Sequence, residues 1–112
     1  MVGCQSSIMD ERLGQYAEVF KALGDPTRLR ILKLLAQRGE TCVCEIVPAL
    51  NMPQSTVSHH LATLKRAGLI AQRKESQMIF YALIDEENTR QAIRFLDRVL
   101  EKVEKRTLAR AV

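Results

Sequence analysis

Two cysteines one residue apart, Cys42 and Cys44, and a long stretch without a single acid around the adjacent His59 and His60 are the features of this chain that could do chemistry. Thiolates are soft ligands for soft metal ions and metalloids, and they are also readily oxidised. Cys4 is the third and last cysteine of the 112 residues. An odd, small number does not make a disulfide framework, and a reducing compartment keeps such groups as thiols. In a regular helix residues i and i+2 point about 200° apart, so one ion held by both cysteines would have to distort the first turn of a helix that carried them. Ion binding would then weaken whatever that helix supports, and by reciprocity that function would weaken the ion. Two small residues packed under a neighbouring helix explain the C-x-C spacing equally well. Were the thiols to oxidise, a ring closed between i and i+2 is strained, so Cys4 is the expected partner.

Residues 46–74 contain no Asp or Glu but include Lys65, Arg66, Arg73 and Lys74. Seventeen basic residues oppose thirteen acidic ones, so the whole formal charge of +4 resides in this window. Duplex DNA carries one negative charge per ~1.7 Å of axis, and an acid-free basic face suits it. A solvated surface, or a module that binds an acidic protein, would carry the same charge without a steep salt dependence toward DNA. There is no Gly-rich phosphate loop, no G-x-S-x-G and no H-E-x-x-H. The two histidines, about 100° apart on a helix, neither chelate zinc together nor complete a set of acid, base and nucleophile. An enzyme is therefore not expected, nor an organic cofactor.

The elements that must position these groups can be read from periodicity. Residues 1–9 are expected to form a flexible N-terminal arm. Leu13, Tyr16, Phe20 and Leu23 form the stripe of a first helix ended by Gly24. Asp25 is placed to cap a second helix with Pro26 at its first position, dense in apolar residues from Leu29 to Leu35 and stopped at Gly39. Thr41 is the expected cap of a short third helix ending near Leu50. A turn at 51–54 leads to a fourth helix over about 54–67 with Val57, Leu61 and Leu64 buried and Gly68 as its αL cap. Strands at 69–74 and 78–84, joined by Glu75, Ser76 and Gln77, read as a hairpin. Ala92, Leu96, Val99 and Val103 repeat on a last helix over about 86–106, and such a seam on a terminal helix calls for a partner.

This order predicts one domain over residues 1–112, mostly α with a β-hairpin wing: a winged helix-turn-helix. On the fourth helix Gln54, Ser55, Thr56, Ser58, His59 and Thr63 offer short polar groups for phosphates and base edges in the major groove. Lys65, Arg66, Arg73 and Lys74 supply the charge. His60 flanks the buried seam and is expected to be a half-buried histidine with a local hydrogen bond. No run approaches the ~20 apolar residues of a membrane helix, and the first twenty residues lack the apolar centre of a secretion signal. A cytoplasmic location without membrane contact is expected.

The stretches KALGDPTRLRI at 21–31, TCVCEI at 41–46, QSTVSHHL at 54–61 and LKRAGLI at 64–70 together resemble the ArsR/SmtB family of dimeric metal-responsive repressors. The resemblance covers about residues 21–84. It implies a homodimer through the first and last helices that binds an inverted repeat in operator DNA and is released by a metal or metalloid. TCVCEI is similar to the cysteine box of the arsenic and cadmium/lead sensors, which makes Cys42 and Cys44 the implied ligands. Val47 stands where arsenic sensors often carry a further cysteine, and the cadmium/lead branch draws on N-terminal cysteines, so Cys4 is the implied third ligand. Three sulfurs suit As(III) or Sb(III) as inducer, with Pb(II) or Cd(II) as alternatives. The zinc and nickel branch uses His and acidic residues on the last helix, and this helix has Asp97, Glu101 and Glu104 but no His, so no zinc site is expected there. Ser76 occupies a wing position where glycine is frequent.

Overall fold

A computed structural model describes the backbone of residues 2–111 and the side chains of residues 8–109. Five helices and three strands follow in order: α1 (Val2–Leu23), α2 (Pro26–Arg38), β1 (Thr41–Cys42), α3 (Val43–Leu50), α4 (Gln54–Arg66), β2 (Ile70–Glu75), β3 (Met78–Leu83) and α5 (Glu86–Ala111). The winged helix-turn-helix order stands. Two additions are β1, which makes the sheet three-stranded in the order β1-β3-β2, and the start of α1 at Val2. The backbone of 2–9, expected as an arm, is thus continuous with the first helix, and no proline interrupts it.

Local chemistry sets the helix ends. The Asp25 carboxylate accepts from the backbone N–H of Thr27 (2.9 Å) and Arg28 (3.1 Å), and Pro26 opens α2 where its missing N–H is no loss. Gly39 ends α2 at φ 76° and ψ −154°, a conformation that a side chain strongly disfavours. Asn51 closes α3 in the left-handed region, its N–H donating to the Val47 and Pro48 carbonyls. At the end of α4, Gly68 (φ 80°) lets its own N–H reach the Lys65 carbonyl while the Leu69 N–H reaches Leu64, which satisfies two terminal acceptors.

The core joins Ile31, Leu32 and Leu35 of α2 to Ile46 and Leu50 of α3, to Val57, Leu61 and Leu64 of α4 and to Ile70 of β2, with Ala22 of α1 at its edge. Each large member contributes about 1.5–3 kcal/mol by leaving water. The two ends of the chain pack differently. α1 and α5 each lie against α2, and Arg90 of α5 donates twice to the Ala36 carbonyl near the C-terminus of α2. Phe20, Phe95, Leu100 and Leu108 nevertheless stay 57–73% exposed. The radius of gyration is 17.3 Å, against about 13 Å for a compact domain of this length. The protomer alone therefore leaves two apolar helical faces in water. Among the described residues no helix is long and apolar enough to cross a membrane.

Candidate nucleic-acid interface and thiol site

On α4 the buried seam of Val57, Leu61 and Leu64 turns the opposite side to solvent. Gln54, Ser55, Ser58 and His59 are exposed, with Thr56 and Thr63 half-buried. Pro53 precedes the helix and no side chain caps it, so the first-turn N–H groups stay free for an anion. Thr63 Oγ1 donates to the His59 carbonyl (3.1 Å) and accepts from Arg66 Nη2 (3.4 Å), which commits its proton locally. Lys65 donates to the neutral Gln72 amide oxygen, at 3.1 Å. Lys74 is exposed on β2.

Arg73 is placed differently. Its Nη2 and Nε grip the Glu40 carboxylate at 2.6 and 3.2 Å, its Nη1 donates to Glu75 at 2.6 Å, and its guanidinium lies 4.8 Å from the centre of the Phe80 ring. Hydrogen bonds from the guanidinium hold the Glu40 carboxyl below the usual carboxylate range, and the two carboxylates push the Arg73 value up. By sequence alone Arg73 is one of four equivalent cations, because Glu40 lies six residues before the acid-free window begins and meets Arg73 only through the fold.

His60 is half-buried as expected, and the contacts identify its neighbours. Arg28 Nη1 lies 3.2 Å from Nδ1, and since guanidinium only donates, Nδ1 accepts and the ring proton belongs on Nε2. The same Arg28 donates to the carbonyls of Ala22 (2.7 Å) and Lys21 (3.1 Å), and Asp25 stands 3.9 Å from the ring. The N-terminus of α2 is thereby fastened to α4. The Arg28 backbone N–H is the main reason the Asp25 carboxyl lies below its usual value, with partial burial opposing.

The thiol pair departs most from expectation. Cys42, not Thr41, is the N-cap of α3; it has extended geometry (φ −68°, ψ 143°), and its sulfur accepts from the Cys44 N–H at 3.2 Å. Thr41 instead pairs with Tyr81 in the sheet and donates its hydroxyl to the Gly39 carbonyl. Because Cys42 lies outside the helix, the 200° divergence does not apply. The Cα atoms are 5.1 Å apart and the two sulfurs meet in a disulfide. Two expectations are corrected: the two sulfurs come together with α3 intact, and Cys42 pairs with Cys44 rather than with Cys4. Cys42 is buried and Cys44 exposed, so the pair is reached from the solvent side. Among the described residues no third His, Cys, Asp or Glu joins them. The Cys4 side chain lies outside the described residues.

Residues 25–72 match the pattern of the arsR family of bacterial regulatory proteins. An uncharacterized HTH-type transcriptional regulator of Methanocaldococcus jannaschii is 48% identical over 80% of this chain and 99% of its own. An arsenical resistance operon repressor of Bacillus subtilis is 43% identical over 69% of this chain and 73% of its own. Among solved structures, the homodimeric winged helix-turn-helix DNA-binding domain of a possible ArsR-family regulator from Mycobacterium bovis superposes with a TM-score of 0.77, at 36% identity over 87% of this chain and 89% of that one. With its capped α2, its α3–α4 pair and its wing, this chain belongs to the ArsR family of DNA-binding transcriptional regulators, a family of regulators and not of enzymes.

Proposed function

We propose that the protein is a metalloid-responsive repressor that binds an inverted-repeat operator as a homodimer in the cytoplasm and is released when As(III) or Sb(III) engages its cysteine thiolates. The observation that carries this reading is the convergence of the Cys42 and Cys44 sulfurs at the N-terminus of α3, the helix that leads directly into α4. Cys42 and Cys44 are the proposed ligands, with Cys4 as the third. Soft trivalent arsenic and antimony form three-sulfur centres, and Pb(II) or Cd(II) is the alternative inducer. The name of the Bacillus subtilis relative supports arsenic. Exposed Phe20 and Phe95, on α1 and α5, support the homodimer, because faces of this size are not left in water.

Operator contact is assigned to Gln54, Ser55, Thr56, Ser58, His59 and Thr63 on α4, to Lys65 and Arg66 at its end, and to Lys74 on the wing, where Arg73 is available to the operator only once it leaves Glu40. Engaging the buried Cys42 acts on β1 and on the cap of α3 together. The disulfide favours a second reading, in which the same pair answers oxidants or persulfides rather than metalloids. Titration of reduced protein with arsenite, following thiolate–arsenic absorbance, tests the assignment. One arsenic per protomer, weakened by Cys42→Ser, Cys44→Ser or Cys4→Ser, supports a three-thiolate site. Indifference to arsenite together with loss of DNA binding under peroxide would favour the redox reading.

A further inference from the structure

Among the four cations of the acid-free stretch, Arg73 is the one that the described residues supply with carboxylates. Its geometry is specific. Glu40 takes Nε and Nη2 together, the two-point face by which a guanidinium also grips a phosphate, while Glu75 takes the remaining Nη1. Phe80 supports the plane from below. Glu40 is no chance neighbour: it stands between Gly39, which turns the chain at positive φ, and Thr41, whose hydroxyl ties back to the Gly39 carbonyl and whose backbone pairs with Tyr81. One step on, Cys42 pairs with Phe80, and Phe80 pairs with Arg73, so a single row crosses all three strands from the thiol site to the wing. The Glu40 and Arg73 side chains are 41% and 48% exposed, within reach of a duplex lying on the wing.

We propose that Glu40 is a carboxylate stand-in for DNA phosphate, which holds the Arg73 guanidinium off the duplex and so sets how many wing contacts the repressor makes. The inference rests on the reading of β2 and β3 as a DNA-contacting wing. Glu40 acts through Arg73 and is a positioning residue that touches no base. Its carboxylate limits affinity, because Arg73 must leave a two-point acceptor before it gains another. It also lies two residues before Cys42, just ahead of the strand β1 through which an inducer would act.

The test is fluorescence anisotropy of the full-length reduced protein with a labelled duplex selected from a randomised pool by the wild type, read across salt concentrations. Glu40→Gln should tighten binding about threefold to fivefold, the scale of what an exposed pair can withhold. It should also steepen the fall of log K with log salt by about 1.8 per dimer, one phosphate per wing. In an Arg73→Ala background both changes should vanish, and Arg73→Ala alone should leave the slope near wild type. Unchanged affinity and slope in Glu40→Gln, or a gain that persists without Arg73, overturns the proposal. Lys74→Ala separates the two levels: a slope lowered by about 1.8 shows that the wing reaches DNA. An unchanged slope there removes the wing reading, and this proposal with it. Melting curves of Glu40→Gln close to wild type show that the fold is intact.

Discussion

Replacing Cys42 by Ser and by Ala separates what the residue does for the fold from what it does for the inducer. Its sulfur caps α3 by accepting the Cys44 N–H, and only 4% of the residue is exposed. A serine hydroxyl is among the preferred caps and keeps that bond, whereas alanine forfeits about 1 kcal/mol of capping. Alanine also leaves the sulfur's space empty, about 25 Å³, which at ~24 cal/mol per Å³ adds about 0.6 kcal/mol. Cys42→Ala should therefore lose about 1.6 kcal/mol and Cys42→Ser no more than about 0.5. For a folding unit of dimer size, which carries the substitution twice, this corresponds to a Tm lowered by about 6–13 °C for alanine and by less than about 4 °C for serine. Circular dichroism melts at equal protein concentration under a phosphine reductant read the stability, and operator anisotropy reads function. Both variants should lose the arsenite response, and the serine variant should bind DNA as the wild type does. If serine destabilises as much as alanine, Cys42 is not acting as a cap, and the geometry assigned to the pair is wrong.

Ile46→Ala should cost about 2–5 kcal/mol in urea unfolding, because Ile46 has no exposed surface and links α3 to the core. Gly39→Ala should cost about 1–3 kcal/mol despite open space around its Cα, since the penalty lies in the positive φ alone. Asp25→Ala should cost about 1 kcal/mol at neutral pH. The folded Asp25 carboxyl lies below its unfolded value, so this contribution is complete above the ordinary carboxylate range and is lost as pH falls through the lowered value. The stability gap between wild type and Asp25→Ala should narrow over that acid window in pH-dependent melts. Arg66→Ala should lower the log K against log salt slope by about 1.8 per dimer, because among the described residues no carboxylate neutralises Arg66.

Much of the architecture was legible because local signals agreed with the fold. Asp25 with Pro26 announces a helix start, Gly68 a helix stop, and Val57, Leu61 and Leu64 a buried face. Each rests on contacts a few residues apart. β1 was missed because Thr41 and Cys42 have no strand signature of their own: two residues become a strand only by pairing with Tyr81 and Phe80, some forty positions away. That omission misplaced the cap of α3, and with it the relation of the two sulfurs. The Arg73–Glu40 contact was hidden for the same reason, spanning 33 positions across the same sheet. The polar face of α4 followed directly from helical period, whereas the tie from Arg28 to His60 needed α2 and α4 to be packed together.

The most direct measurement is release of a duplex from the reduced dimer on adding arsenite, followed by anisotropy, for the wild type beside Cys42→Ser and Cys44→Ser. Metalloid control through Cys42 and Cys44 predicts stepwise release from the wild type and none from either variant, with all three binding DNA equally before arsenite is added. Release that persists in both variants, or a wild type that holds its duplex at saturating arsenite, would contradict it.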